Sequence, residues 1–192
     1  MKKLLALLLA AVMTVSVVAC GSKEGNNENN GENNAPAITD ALEILTTVWG
    51  SYAEADLFPV AGGDAEHANW EGPAKFELTA AEELTANYGV NADLIAQIDD
   101  AATMMHAMMM NNFAFGVYHL TDASAMENFT NTVKEDLLAK QWMCGQPEKV
   151  MIITVGDYVV AGYGLADLCE TFKTNLTAQY TTATVVCEEN IA

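Results

Sequence analysis

The chain has 192 residues, with 26 acidic residues against eight basic ones and a formal net charge of −18. All of the basic residues are lysines. A surface this acidic repels nucleic acid and anionic lipid headgroups. Without arginine, the paired hydrogen bonds that recognise phosphate are also disfavoured. The composition therefore argues against a nucleic-acid partner. The charge could favour cationic ligands or metal ions, or serve only to keep the protein soluble.

The N-terminus has the pattern of a cleaved export signal. Lys2 and Lys3 precede an uncharged run over residues 4–19, which is too short to span a bilayer comfortably. The run ends in Val17-Val18-Ala19-Cys20, which resembles the lipobox of bacterial lipoproteins. We expect residues 1–19 to be removed and Cys20 to carry diacylglycerol, and we predict no other cofactor. This lipid would be the chain's only contact with a membrane, and it would hold the protein on the outer face of the cytoplasmic membrane.

A polar tether is predicted between this anchor and the folded region, over residues 20–37. Most of it is Asn, Glu and Gly, and residues 23–37 include no aromatic or β-branched residue. Such a composition cannot bury a core and is typical of a disordered linker. The remaining residues, 38–192, are predicted to form a single globular domain, enough chain to bury roughly two thirds of its unfolded surface.

The first part of this domain is predicted to be mainly helical. Thr39 is the expected N-cap of the first helix, and Thr79 with Glu82 forms a capping-box pattern. The predicted elements, in chain order, are a helix over residues 40–53, a loop over 54–76, a short helix ending near Gly89, and a helix from Asn91 through about Ala102.

From Phe113 the apolar period changes from helical to strand-like. The predicted elements are a strand over residues 113–118, a helix over 122–142, strands over 149–155 and 158–163, a helix over 166–180 and a strand over 181–187. Gly156 and Asp157 suit a hairpin turn that places Ile153 opposite Val160. This order predicts an α+β fold, with helices on one face of a small, mostly antiparallel sheet and a helical segment before it.

Residues 113–119, 141–147 and 155–160 resemble a group of secreted lipoproteins of clostridial-type bacteria that carry a domain of unknown function. These proteins share a lipobox, an Asn/Gly/Glu-rich tether and a C-terminal half with an apolar strand, a long helix and a hairpin. The resemblance covers most of the mature domain. It implies an extracytoplasmic lipoprotein without an established activity. Some similar proteins carry the description bacteriocin transport accessory protein.

A methionine cluster over residues 104–110 allows three interpretations. On a helix, Met105 and Met109 would share a face, and His106 would lie one turn before Met110. Thioether and imidazole ligands suit copper(I), so a metal site is one hypothesis. Because these side chains would point around most of the helix, a plastic buried segment is the second. The third is a contact surface for a protein or peptide partner.

The cysteines raise the question of thiol chemistry. The segment from Trp142 through Cys144 superficially resembles the thioredoxin redox motif, but no second cysteine lies three residues on. Trp142 and Cys144 are therefore candidates for a contact surface. The predicted lengths of the last helix and strand bring Cys169 and Cys187 level, which predicts a disulfide between them. The alternative is that both are reduced.

Acid–base chemistry has scattered candidates only. Asp64 and His67 lie with Glu66 in a Gly-rich segment, Asp99-Asp100 lie at the end of a predicted helix, and His119 ends a strand. No nucleophile motif is present in the sequence. We therefore expect a non-catalytic binding or accessory module. A thiol-redox or bacteriocin-transport accessory protein and a copper binder remain as alternatives.

Overall fold

The computed structural model describes residues 38–108, 110–142 and 145–191. The predicted signal peptide, Cys20 and the tether lie outside these residues, as do Met109 and Cys144. The helices are α1 (Ala41–Gly50), α2 (Ala81–Tyr88), α3 (Ala92–Ile95), α4 (Met126–Ala139) and α5 (Ala166–Gln179). The strands are β1 (Val60–Ala61), β2 (Ala74–Lys75), β3 (Ile98–His106), β4 (Phe113–Leu120), β5 (Lys149–Val155), β6 (Tyr158–Gly164) and β7 (Thr184–Asn190). Within the described ranges, no helix combines the length and apolar character needed to cross a membrane.

The strands form one sheet in the order β1-β3-β4-β6-β5-β7, with β2 also paired to β3. Every pairing between the described strands is antiparallel. The predicted β5–β6 hairpin is confirmed, because Ile153 lies opposite Val160 and Met151 lies opposite Gly162. Its turn requires Gly156, whose φ of +58° lies in the left-handed region that glycine adopts without strain.

One edge of the sheet is an interrupted strand. β1 and β2 are two residues long, and both pair with β3. Between them the chain leaves this edge as a loop over residues 62–73 and then returns to it. Gly62 fits where the ends of the loop meet, because a Cβ there would lie 2.4 Å from the Ala74 backbone nitrogen. The segment 54–76 is therefore largely loop, as predicted, but it also supplies the broken edge strand.

Helices cover both faces of the sheet. α1 and α5 bury side chains with β4, β5 and β6 in a first core. α2, α3 and α4 do so on the opposite face in a second core. The α+β class with a mostly antiparallel sheet is confirmed, but helices on a single face were expected. The reason lies in strands such as β5, where Ile153 faces the first core and Ile152 the second. A strand that is apolar on both faces needs cover on both.

The methionine-rich segment differs most from the prediction. Asn91 caps a helix as expected, since its side chain accepts hydrogen bonds from the backbone N–H groups of Asp93 and Leu94. That helix, α3, ends at Ile95 rather than near Ala102, and the chain continues as β3. β3 pairs with β4 on one side and with β1 and β2 on the other. These long-range pairings outweigh the local helical preference.

Two helix caps also differ from the prediction. Asp40, not Thr39, caps α1 by accepting a hydrogen bond of 2.8 Å from the Glu43 backbone N–H. Thr79 does not cap α2, because Ala80 occupies the N-cap position. α4 is shorter than the predicted helix over residues 122–142, yet it buries Phe129, Val133 and Leu137, which recur at helical spacing.

Candidate functional site

The methionine cluster lies on a strand and a loop, not on a helix. Because neighbouring side chains of a strand point to opposite faces, Met105 packs against the second core while His106 turns the other way. Met108 and Met110 follow in the loop after β3 and are 56% and 84% exposed. Met109 lies outside the described residues. The helical spacing that motivated a copper site is therefore wrong, and so is the expectation of a wholly buried segment.

His106 is engaged at both ring nitrogens. Nδ1 accepts a hydrogen bond of 3.0 Å from the Met108 backbone N–H, and Nε2 lies 3.2 Å from the Asn111 side-chain amide. The ring stacks on Phe58 with centroids 4.8 Å apart and an interplanar angle of 5°. Burial lowers the pKa of His106, which favours the neutral imidazole. His106 thus braces the loop that carries Met108. In the described part of the chain, no group of three or more His, Cys, Asp or Glu is placed to hold a metal ion.

Trp142 follows α4 and packs against the sheet. Its ring lies 4.4 Å from that of Tyr163, measured between centroids. The Lys140 ammonium lies 5.1 Å from the Trp142 centroid and 5.4 Å from that of Tyr163, within the range of a cation–π contact. Burial raises the pKa of Tyr163 to about 12, so its hydroxyl is neutral. Cys144, the other predicted member of this contact surface, lies outside the described residues.

These two segments meet at one cavity of about 580 Å³, which we name the Met–Trp pocket. β3, β4 and β6 supply its floor, the end of α2 and the segment after α4 supply its walls, and the methionine loop forms its rim. Its apolar lining comprises Ala86, Met105, Met108, Phe113, Ala114, Trp142 and Tyr163. Its polar lining comprises Asn87, His106, Asn112, Lys140 and Gln141. Among these lining residues none is Asp or Glu.

Lys140 differs from the other lysines that the structure describes. Lys75, Lys134, Lys149 and Lys173 each form a salt bridge with at least one carboxylate. Lys140 forms none with a described residue. Its ammonium instead donates to the backbone carbonyl oxygens of Ala86 and Asn87, the latter at 3.3 Å. Burial without a neighbouring acid lowers its pKa.

Two further donors belong to residues that line the pocket. Trp142 Nε1 and Asn112 Nδ2 are both shielded from solvent, and neither has a hydrogen-bond partner among the described residues. Leaving a buried donor unpaired costs about 1–3 kcal/mol. Sequence analysis selected Met105, His106, Met110 and Trp142 but missed Asn112, Lys140 and Tyr163. For Lys140 a signal existed, because lysine is scarce in this chain and Lys140 lies two residues before Trp142.

The predicted disulfide is contradicted. Cys169 and Cys187 are both free, and they belong to the first and second core respectively. Cys169, on α5, packs against one face of the sheet. Cys187, on β7, points to the other face, so the sheet lies between the two thiols. Burial raises the pKa of Cys169 to about 12 and also raises that of Cys187. Both thiols are thus protonated at neutral pH, which disfavours thiol exchange.

The scattered acid–base candidates are structural. Asp64 is 3% exposed and accepts hydrogen bonds from three backbone N–H groups and from the His67 ring. Through these hydrogen bonds, Asp64 holds the loop over residues 62–73 in place. Asp99 lies on β3, not at the end of a helix, and contacts His119 on β4 at 2.5 Å. Neither pair is among the residues that line the Met–Trp pocket.

Comparison with known proteins adds no relative. No protein family, curated protein or solved structure matches this chain. The resemblance to clostridial-type secreted lipoproteins stays a prediction from the residues quoted above, and the function has to be argued from the site itself.

Proposed function

We propose that this protein is a surface-tethered, non-catalytic binding module whose ligand site is the Met–Trp pocket. Cys20 would carry the lipid anchor, and the tether would hold the folded domain away from the membrane. One observation carries the proposal: the methionine cluster and the segment at Trp142, about 35 residues apart in sequence, line the same cavity. Ligand sites are typically concave, mostly apolar and fitted with a few polar groups.

The rim and the floor of the pocket have different physical properties. Tyr163 and Ala114 belong to central strands and are almost fully buried, which makes the floor rigid. Met108, which lines the pocket from the loop after β3, exposes a large apolar side chain to solvent, as does Met110 further along this loop. Methionine is unbranched and polarizable, so such a rim adapts to ligands of varied shape. This combination favours recognition of an apolar group, such as a side chain of a peptide or protein partner.

The chemistry around the pocket favours binding over catalysis. Its imidazole, His106, has both nitrogens engaged within the chain, and it stacks on Phe58. A general base needs a free nitrogen within hydrogen-bond reach of its substrate. The proposal therefore assigns His106 to positioning the methionine rim.

NMR of the methionine methyl groups tests this proposal. The full domain would be titrated with small aromatic and branched aliphatic compounds, some neutral and some carrying a carboxylate. We expect a subset to shift the methyl signals of Met105 and Met108 while Met151, buried in the first core, stays unmoved. Met108→Asp should weaken this binding about tenfold or more, because it places a charge at an apolar contact.

Val186→Asp is the matched control, because Val186 is 49% exposed and lies on β7 at the far edge of the sheet. Thermal unfolding would verify that both variants fold. The proposal fails if no compound shifts the Met105 and Met108 methyl signals. It also fails if Met108→Asp and Val186→Asp bind equally well.

A further inference from the structure

The Met–Trp pocket has a basic lining, whereas the protein as a whole is strongly acidic. The chain has 26 acidic residues, yet none of them lines this pocket, while Lys140 does. Each of the other four described lysines has a carboxylate partner. An unpaired, half-buried ammonium in an acidic protein is costly unless another negative group can approach it.

The hydrogen-bonding groups of the pocket also favour a ligand that supplies acceptors. An ammonium has three N–H groups, and the carbonyl oxygens of Ala86 and Asn87 account for two of those on Lys140. Trp142 Nε1–H and Asn112 Nδ2–H are buried donors without an acceptor among the described residues. Three residues of the pocket lining, Lys140, Trp142 and Asn112, therefore carry a donor that no described acceptor uses, beside the apolar faces of Trp142 and Tyr163.

We infer that the Met–Trp pocket binds a carboxylate carried on an apolar or aromatic group, with the carboxylate at Lys140 and the apolar group among the methionines. This inference rests on the proposed function and names its ligand class. A carboxylate supplies acceptor oxygens for the donors and a charge for Lys140. A phosphate fits less well, because a single lysine with no arginine leaves most of its charge uncompensated.

Two sources share this chemistry: a free organic acid and the C-terminal residue of a peptide. The cavity of about 580 Å³ accommodates either a small aromatic acid or a terminal side chain with its carboxylate. The test ligands are therefore 3-phenylpropionate with its neutral amide, and Gly-Gly-Phe with its C-terminal amide. Within each pair, shape is conserved and only the charge changes.

Calorimetry and NMR on the folded domain give independent readouts. We expect each acid to bind at least tenfold tighter than its amide. The acid should also move the indole N–H signal of Trp142, which the Trp142→Phe variant assigns among the three tryptophans. A peptide that binds tenfold tighter than 3-phenylpropionate would identify a peptide C-terminus as the source. Equal affinities would identify a free acid.

Lys140→Met removes the charge while keeping a similar chain length, and we expect acid binding to weaken roughly ten- to hundredfold. Lys134→Met is the matched control, since Lys134 lies on α4, the helix whose C-cap is Lys140, and pairs with Glu189 at 3.7 Å. It should bind as the wild type does. Equal binding of acid and amide by the wild type overturns this inference even if Lys140→Met fails to fold. The proposed function would survive that result if neutral compounds still shift the Met105 and Met108 methyl signals.

Discussion

The loop at Asp64 and the Met–Trp pocket both contain buried polar groups, but they differ in how these groups are paired. Asp64 accepts from the backbone N–H groups of Glu66, His67 and Glu77 and from the His67 ring. At the pocket, Trp142 Nε1–H and an Asn112 amide N–H have no acceptor, and Lys140 has no carboxylate partner among the described residues. A buried polar group whose hydrogen-bond partners all lie within the chain needs no other role than stabilising the fold. The ligand proposed above would supply a negative charge for Lys140, which the described residues do not.

The largest expected effect tests the structural side of this comparison. Asp64→Ala leaves three backbone N–H groups without their acceptor, so we expect the free energy of unfolding to fall by about 3 kcal/mol. Asp99→Ala is the control, because its pair with His119 is exposed and should contribute less than about 1 kcal/mol. Urea denaturation measures both. Similar small losses for the two variants would show that the Asp64 network does not stabilise the loop.

The way in which the free energy of unfolding falls at acidic pH should also depend on Asp64. Burial opposes ionisation of Asp64, but hydrogen bonds from Glu77, His67 and Glu66 outweigh it and lower its pKa. Because the folded-state pKa lies below the unfolded value of about 3.9, this contribution is complete above that value. It is lost as the pH falls through the folded-state pKa.

Asp64→Asn cannot titrate, and its free energy of unfolding should therefore fall less steeply below about pH 5 than that of the wild type. Denaturation at several pH values between about 2 and 7 measures both slopes. If the free energies of unfolding of the two proteins fall equally steeply at acidic pH, the assigned direction of the Asp64 pKa is wrong.

A smaller effect is expected at the pocket. Trp142→Phe removes an N–H that has no partner among the described residues, so no hydrogen bond between them is lost. We expect the free energy of unfolding to change by no more than about 1 kcal/mol, whereas carboxylate binding weakens. Denaturation and calorimetry on the same sample separate the two quantities. A stability loss of about 3 kcal/mol with unchanged binding would reverse the comparison and make the indole structural.

The smallest effect concerns the thiols. Since Cys169 and Cys187 lie in different cores, a reductant should leave the melting temperature of the domain unchanged. Both should react slowly with a thiol reagent in the folded protein, since burial raises the pKa of each, and rapidly after denaturation. A melting temperature that drops on reduction would contradict the assignment of Cys169 and Cys187 as free thiols, provided that Cys144→Ala behaves in the same way.

Local signals predicted the C-terminal half well. The apolar period and the Gly156 turn were sufficient to predict the β5–β6 register, because a tight turn determines which residues face each other. β3 was not predictable in the same way, since its neighbours β1, β2 and β4 come from separate stretches of chain and no breaker marks the change at Gln97. The disulfide prediction placed Cys169 and Cys187 at the same level. It failed because the face to which a strand residue points depends on register and bulges, and a bulge lies at Cys187.

The candidate site was predicted in parts and not as a whole. Met105 was selected because it belongs to the methionine cluster, and Trp142 because its segment resembles the thioredoxin redox motif. That both line one cavity depends on how the sheet places the ends of β3 and β6. Asn112 and Lys140 are ordinary surface residues by type. What distinguishes them is that, among the described residues, the Asn112 amide N–H has no acceptor and the Lys140 ammonium has no carboxylate partner, which only the folded arrangement reveals.

The interrupted edge at β1 and β2 has a consequence for behaviour at high local concentration. An open sheet edge is a template for pairing with another molecule, and lipid anchoring would crowd many copies onto one plane. Because the loop over residues 62–73 divides this edge into two-residue segments, it offers no continuous ladder of backbone groups to a neighbour. The opposite edge, β7, carries Glu188 and Glu189 beside its exposed Val186. Glu188 pairs with Lys149 and Lys173, and Glu189 pairs with Lys134, so both carboxylates are held in ion pairs along this edge. Charged side chains on an edge strand oppose pairing with a second strand. Both borders of the sheet thus resist aggregation, one by its interruption and the other by its charged side chains.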